Sequence, residues 1–409
     1  MILLSHPFGN ANVRAVLSAL DHAELLAKFL TTLGWSRSSP FVQALPGKLH
    51  AQMARRAYDL PHYKIKTHPA REIVRLLADN LGLRSLTRHE TGWASIDKVW
   101  SRLDEVVADY LLRNHERLNI RGVYAYEDCA ERSFEAARQL GLRRIYDLPI
   151  AYWETAQGLL REEARRYPGW EPTLGGTRDS DEKLARKTRE LDLAEIVICP
   201  SAFVLDSLPE KTRLTKKCVV APFGSPEGAA EDRSDLTRAD RLRFLFAGAL
   251  TQRKGLADLF AAMKLVDSKK AELVVMGSLV LPMRFYRDEF AGFIYEPPRP
   301  HAAVLRLMRS CHVFVLPSIV EGRALVQQEA MASGLPLIAT RNAGGEDLIV
   351  EGKTGFLVPP GRPAAIAEKI EWFLENRDQL PAMSAAARAK AAELTWPDYG
   401  EKILHAIGD

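Results

Sequence analysis

The chain has 409 residues, 47% of them apolar and 26% charged, with a formal net charge of +4. That length exceeds the size at which a single hydrophobic core stops growing, which predicts two domains, and so small a net charge gives no reason to expect nucleic acid as a partner. Apolar runs are only strand-length and MILLSHPFGN lacks the basic start and cleavage site of a signal peptide, so the chain reads as cytoplasmic.

The first strand is MILLS, followed by the loop HPFGN and a helix. From about residue 20 to 118 the strand signal largely disappears. Amphipathic stretches such as IDKVWSRLDEVVADYLL, with apolar residues three and four apart, predict a helical insertion there. Within it, from Lys48 to Arg75, seven Lys or Arg stand against Asp59 and Glu72, interleaved with Tyr58, Tyr63, Ile65 and Ile73. This reads as a solvated helical face or as a surface for an anionic membrane or acceptor. Strands return at GVYAY, RRIYDLP, AEIVICPS and KCVVAPFG, which with the first one predict a doubly wound sheet over residues 1–225. Asp179-Ser180-Asp181 has the DxD form of metal-dependent sugar transferases. Asp179 with Glu182 also makes a capping box before KLARKTRELDLA, and that reading is preferred.

The stretch 224–241 is charged, rich in small residues and without apolar periodicity, which places the linker there. Strand and helix then alternate over 242–392: RLRFLFAGA, GLADLFAAMKLV, AELVVMG, GFIYE, HAAVLRLMRSC, HVFVLPS, ALVQQEAMAS, LPLIAT and GFLV, with closing helices. This is the pattern of a second parallel sheet, and two such sheets make a cleft at the carboxyl ends of their strands. Cys129, Cys199, Cys218 and Cys311 form no CxxC pair and read as buried thiols.

Several loops at strand ends carry candidate chemistry. Glu321 and Glu329 bracket EGRALVQQE between a strand and a helix; main-chain N–H groups at the helix start suit an anion, and carboxylates accept sugar hydroxyls. In FAGALTQRKG, Arg253 and Lys254 can neutralise a pyrophosphate that Gly248 lets approach, although a basic pair before a helix is also common on surfaces. Gly9 and Asn10 either offer N–H groups to the same anion or form a turn and helix cap. Gly344 to Asp347 read as a helix start in preference to a cleft lining. Gly352-Lys353-Thr354 is not a Walker A loop, because its first glycine would fall on Asp347, and no GxGxxG supports a dinucleotide site.

In this order, FAGALTQRKG, HVFVLPS, EGRALVQQEAMASGLPLIAT and NAGGEDLIVEGKTGFLVPPG resemble the retaining glycosyltransferases of family 4, whose GT-B fold is two facing Rossmann-like domains. The likeness is strongest from Phe244 to Phe373. MILLSHPFGNANVR, KLARKTRELDLAEIVICPSAF and the closing TWPDYGEKIL extend it over most of the chain except about 20–118. The resemblance implies transfer of a sugar from a nucleoside diphosphate sugar to a hydroxyl acceptor, a saccharide or lipid-linked glycan, without a metal or other cofactor. It implies that Glu329 binds the donor ribose, that Glu321 lies near the transferred sugar, and that Lys254 and the amides of Ala324 and Leu325 meet the phosphates. The resemblance makes 1–225 the acceptor-side domain and 242–392 the nucleotide-sugar donor domain; base contacts are expected from main chain near 294–298, and residues 393–409 are expected to cross back onto the first domain.

Three positions depart from the family's pattern. Ala249 stands where an arginine is usual, with Arg253 as its stand-in. Arg323 replaces a common phenylalanine and adds a possible phosphate or sugar contact. Tyr126, in Tyr124-Ala125-Tyr126-Glu127, stands where the family has its active-site histidine, and His6, His89 and Asp128 are the nearest substitutes by loop position. Competing readings are a sugar-nucleotide epimerase or hydrolase of the same architecture, or a nucleotide-sugar-binding protein without acceptor chemistry.

Overall fold

The computed structural model describes residues 1–38, 56–226 and 240–408. Helices named below are α1 (Ala11–His22), α2 (Ala70–Leu81), α3 (Ile96–Asn114), α4 (Asp181–Leu193), α5 (Leu256–Met263), α6 (Leu325–Ala332) and α7 (Trp396–Gly408).

The N-terminal sheet comprises β1 (Ile2–Ser5), β2 (Leu26–Thr31), β5 (Ile65–Thr67), β6 (Gly122–Tyr126), β7 (Arg143–Asp147), β8 (Ile196–Cys199) and β9 (Lys217–Val220). All are parallel, in the order β5-β2-β1-β6-β7-β8-β9. A separate two-stranded ladder joins β3 (Trp35–Ser36) to β4 (Ala57–Tyr58). The C-terminal sheet comprises β10 (Leu242–Ala247), β11 (Ala271–Met276), β12 (Phe293–Glu296), β13 (Val313–Leu316), β14 (Leu337–Ala339) and β15 (Gly355–Leu357), parallel in the order β12-β11-β10-β13-β14-β15. Strands such as VFVL in β13 are buried along their whole length, as a parallel sheet covered on both faces requires. These two facing Rossmann-like sheets, with helices inserted in the first, are the GT-B architecture.

In each sheet the winding reverses once. The first reversal lies between β1 and β6, the second between β10 and β13. Reversal points open crevices at the carboxyl ends of parallel strands, so the loops after β1, β6, β10 and β13 are where ligands belong.

Two expectations need correction. Strands do occur within 20–118: β2 pairs with β1 (Leu4 opposite Phe29) and β5 pairs with β2. Apolar spacing in ALDHAELLAKFL continues the period of α1. What ends that helix is Glu24, in a left-handed conformation at φ 56° without a glycine or proline to signal it. The second concerns the cap of α4, which is Ser180 in place of Asp179: its Oγ accepts from the Lys183 N–H at 3.2 Å. Asp179 instead pairs with Lys183 Nζ at 3.0 Å. Most of the expected linker, 227–239, and the start of the basic stretch, 48–55, lie outside the described residues.

Two structures tie the halves together. Helix α7 lays Tyr399, Ile403, Ala406 and Ile407 into the N-terminal core beside Val13, Leu17 and Leu20 of α1. In the other direction, Trp170 enters the C-terminal core among Phe260, Phe285 and Tyr286. Around it Arg166 pairs with Asp258 at 2.9 Å, and Gln252 donates to Glu163 at 2.6 Å.

Candidate functional site

A cleft of about 660 Å³ lies between the two sheets. One wall comes from the loop after β1 (His6, Asn10, Asn12), the end of β6 (Tyr126, Glu127) and Trp100 of α3; the other from Gly248, Lys254, Glu321, Arg323 and the start of α6 with Glu329. Both reversal points therefore open onto one space.

On the C-terminal wall, β10 ends at Gly248, whose φ of 150° suits glycine and whose absent Cβ leaves room for the Lys254 stem. Residues Gln252–Lys254 form a 3-10 turn before α5, which aims Lys254 back at the cleft. Lys254 Nζ is ion-paired with Glu321 Oε1, and Arg253 Nη1 lies 3.0 Å from the same oxygen. Burial opposes ionisation of Glu321, but Arg253 and Lys254 outweigh it and hold the carboxyl below its ordinary pKa. Burial also draws the Lys254 ammonium below its ordinary value, with Glu321 opposing. Thus one buried carboxylate is shared by two cations, of which Lys254 faces the cleft.

Helix α6 starts without a side-chain cap at Ala324. The Ala324 N–H donates to Ala343 O at 3.2 Å, so the expected phosphate contact from that amide is not available; Leu325 and Val326 line the cleft at the first turn. One turn on, Glu329 is half-buried, its carboxyl pKa raised by burial, with His301 Nδ1 3.7 Å away. Arg323 also departs from expectation. Although it lines the cleft, its guanidinium grips Asp347 (2.6 and 3.1 Å), Gly344 O (3.0 Å) and Gln328 (3.0 Å), which braces the loop after β13. Gly344 to Asp347 supply that brace through a left-handed Gly344 and a 3-10 turn. Arg253 reaches Glu321 but is not among the lining residues, and it also donates to Val320 O at 2.9 Å.

On the N-terminal wall, Asn10 takes the N-cap position of α1 without a side-chain cap bond and lines the cleft with Asn12. Gly9 is not among the lining residues, and a Cβ there would meet the Tyr58 ring, so the position requires glycine for packing. Tyr126 is buried and meets His6 edge-on at 4.6 Å. Its phenol pKa is raised well above the ordinary value by burial and by Asp147, so it does not serve as a base. His6 is kept neutral, its pKa lowered to about 3 by burial, and its Nδ1 accepts from the Phe8 N–H at 2.9 Å. Neither His89 nor Asp128 lines the cleft. Asp128 pairs with Arg186 at 2.8 Å. His89 meets Glu90 and Asp179 at 3.2 and 3.3 Å, a potential cation cluster whose Asp179 is already held by Lys183.

Trp100, Asn12 and His301 line the cleft without a motif in the sequence that singles them out for it, and Glu127 lines it from the end of the Tyr124–Glu127 stretch without having been assigned a role. Glu127 follows Tyr126 directly, so the strand-end argument could have found it. Trp100 sits inside the insertion, where only its helical period is visible.

Residues 229–390 match the family model described as "Glycosyl transferases group 1". A D-inositol 3-phosphate glycosyltransferase of Corynebacterium diphtheriae is 35% identical over 27% of this chain and 26% of its own length. The capsular polysaccharide biosynthesis glycosyltransferase CapM of Staphylococcus aureus is 30% identical over 39% of this chain and 47% of its own. The chain thus spans about a quarter to a half of these relatives. Among solved structures, sucrose-phosphate synthase of Thermosynechococcus elongatus superposes with a TM-score of 0.65 at 17% identity, covering 100% of this chain and 98% of that one. Anabaena HepE in complex with UDP gives 0.60 at 15%, covering 100% and 99%. The fold is GT-B, and its C-terminal half matches the glycosyl transferases group 1 model.

Proposed function

We propose that the protein is a retaining, metal-independent glycosyltransferase that moves a sugar from a nucleoside diphosphate sugar to a hydroxyl acceptor, in glycan, polysaccharide or glycolipid synthesis. The observation that carries this reading is the convergence of both reversal points on one cleft, with the Lys254–Glu321–Arg253 group and the start of α6 on a single wall. In the reaction the bond from the anomeric carbon to the diphosphate breaks, one to the acceptor oxygen forms, and the acceptor's proton leaves with the diphosphate. Negative charge grows on the leaving group, and Lys254, Arg253 and the α6 amides of Leu325 and Val326 stabilise it without reorganising. Glu329 holds the ribose hydroxyls, and Glu321 orients the transferred sugar. UDP-glucose is the first donor to try, because HepE has been crystallised in complex with UDP-glucose.

A thermal-shift screen of UDP-, GDP- and ADP-sugars tests donor binding, since a ligand of the folded state alone raises stability with concentration. Nucleoside diphosphate release that requires an acceptor supports transfer. Release or donor conversion without one supports a hydrolase or epimerase, and binding without turnover a non-catalytic role.

Peripheral attachment to an anionic membrane belongs to the same reading: within the expected stretch Tyr63 and Ile73 are exposed, and the face continues along α2. Tyr58 is buried, whereas α2 turns Glu72 and Ala78 inward and leaves Ile73, Leu77 and Leu81 outward, 44%, 54% and 70% exposed. Exposed Arg84 and Arg88 follow, and Arg71 lies over the exposed Trp93. An apolar stripe with basic flanks suits an anionic lipid surface. No helix among the described residues is long and apolar enough to cross a membrane.

A further inference from the structure

The wall opposite the donor residues differs in kind. Trp100, carried by α3 of the helical insertion, lines the cleft half-buried, with the Phe8 and His6 rings packed at 6.1 and 6.2 Å. Its indole N–H is buried with no partner among the described residues, which turns the ring face and not the N–H to the cleft. Beside it Glu127, 5% exposed, lines the cleft; one carboxylate oxygen lies 3.1 Å from Lys187 Nζ, which does not itself line it. Asn10 and Asn12 complete the polar groups of the first turn of α1.

We infer that the acceptor received by this wall is an uncharged saccharide, with Trp100 stacking on a pyranose ring and Glu127 accepting hydrogen bonds from its hydroxyls. The inference rests on the donor-side reading above. A pyranose offers apolar C–H faces to an aromatic ring and hydroxyl donors to a carboxylate. A phosphorylated acceptor is disfavoured here. Among the described residues that line this wall there is no lysine or arginine, and Glu127 would repel a phosphate. The insertion, which carries no donor residue, thereby becomes the element that selects the acceptor.

The test uses the full chain with UDP-glucose, GDP-mannose and ADP-glucose as donors, and methyl pyranosides against their 6-phosphates as acceptors. Donor Kd is measured by calorimetry and acceptor KM from nucleoside diphosphate release. The neutral pyranosides should be the better acceptors. Trp100→Ala should raise acceptor KM about tenfold with donor Kd within about twofold, Trp100→Phe should recover most of the loss, and Glu127→Gln should raise acceptor KM. Preference for the 6-phosphates, failure of every neutral pyranoside on a protein that binds donor, or an unchanged acceptor KM in Trp100→Ala would each overturn the inference. If the parent binds none of the three donors, the donor reading has failed. Calorimetric titration with the pyranosides, parent against Trp100→Ala, then decides the acceptor wall by itself.

Discussion

The C-terminal wall of the cleft presents its charges to the ligand space, whereas the N-terminal wall keeps most of its charges behind an aromatic surface. Lys254 and Glu321 both line the cleft. Across from them, Lys187, Arg186 and Asp128 form ion pairs that back Glu127, while His6, Tyr126 and Trp100 form the surface. Each arrangement suits a different partner: fixed counter-charge for a polyanion, and a shaped, low-charge surface for a polyol. One cleft can therefore hold two substrates without each competing for the other's contacts.

Breaking the charged wall should have the largest effect. Lys254→Ala is expected to lower kcat by about 10²-fold or more, as loss of a preorganised charge at a leaving group does. Glu329→Ala should weaken donor binding by about tenfold, read by calorimetry, with thermal stability retained. Equal donor affinity in both variants and parent would remove the assignment of this wall.

The contact between walls is the next target. A Cβ on Gly322 would fall 1.7 Å from Pro149 O, a backbone atom that cannot swing away. Gly322→Ala should therefore destabilise the contact between these loops by about 1–3 kcal/mol and lower kcat while each sheet stays folded. Unchanged stability in urea would show that the loops do not meet in solution.

The buried polar groups behind the N-terminal wall predict a pH effect. Asp147, which accepts from Tyr124 Oη at 2.7 Å, has its pKa raised to about 7 by burial. A raised carboxyl pKa means that the unfolded chain ionises first. The stability that comes from keeping Asp147 neutral is full below pH ~4, the unfolded value, and is lost as pH rises through about 7. Asp147→Asn should flatten that loss, which is at most about 1.4 kcal/mol per pH unit, between pH ~4 and ~7 in urea unfolding. Parallel slopes for parent and variant would contradict the assignment. The smallest effect is expected at the α2 face, where Leu77→Glu should reduce sedimentation with phosphatidylglycerol vesicles severalfold without changing turnover of a soluble acceptor.

The two walls were also unequally legible in the sequence. Glu321, Lys254 and Gly248 follow strand ends in an unbroken run of alternating strands and helices, with Glu329 one turn into the next helix, so local pattern placed them at the mouth of a parallel sheet. What pattern could not supply was which donors are already engaged: that Arg323 turns to Asp347 and the Ala324 N–H to Ala343 O depends on how two distant loops pack. On the other wall, β2 was hidden because LAKFLT prolongs a helical period, and only pairing with β1 decides between strand and helix. Trp100 was invisible for the same reason. Its helical spacing is that of any core residue, and its place in the cleft follows from how α3 docks beside the β1 loop.

The central claim is transfer of a sugar from a nucleoside diphosphate donor. Its most direct test is to follow the anomeric proton signals by NMR with UDP-glucose, GDP-mannose and ADP-glucose, each with and without a methyl pyranoside acceptor. Retaining, metal-independent transfer predicts that one α-linked donor is consumed only when acceptor is present, that the product is the α-glycoside, and that chelator does not slow it. Consumption at the same rate without acceptor, or a β-configured product, would contradict it.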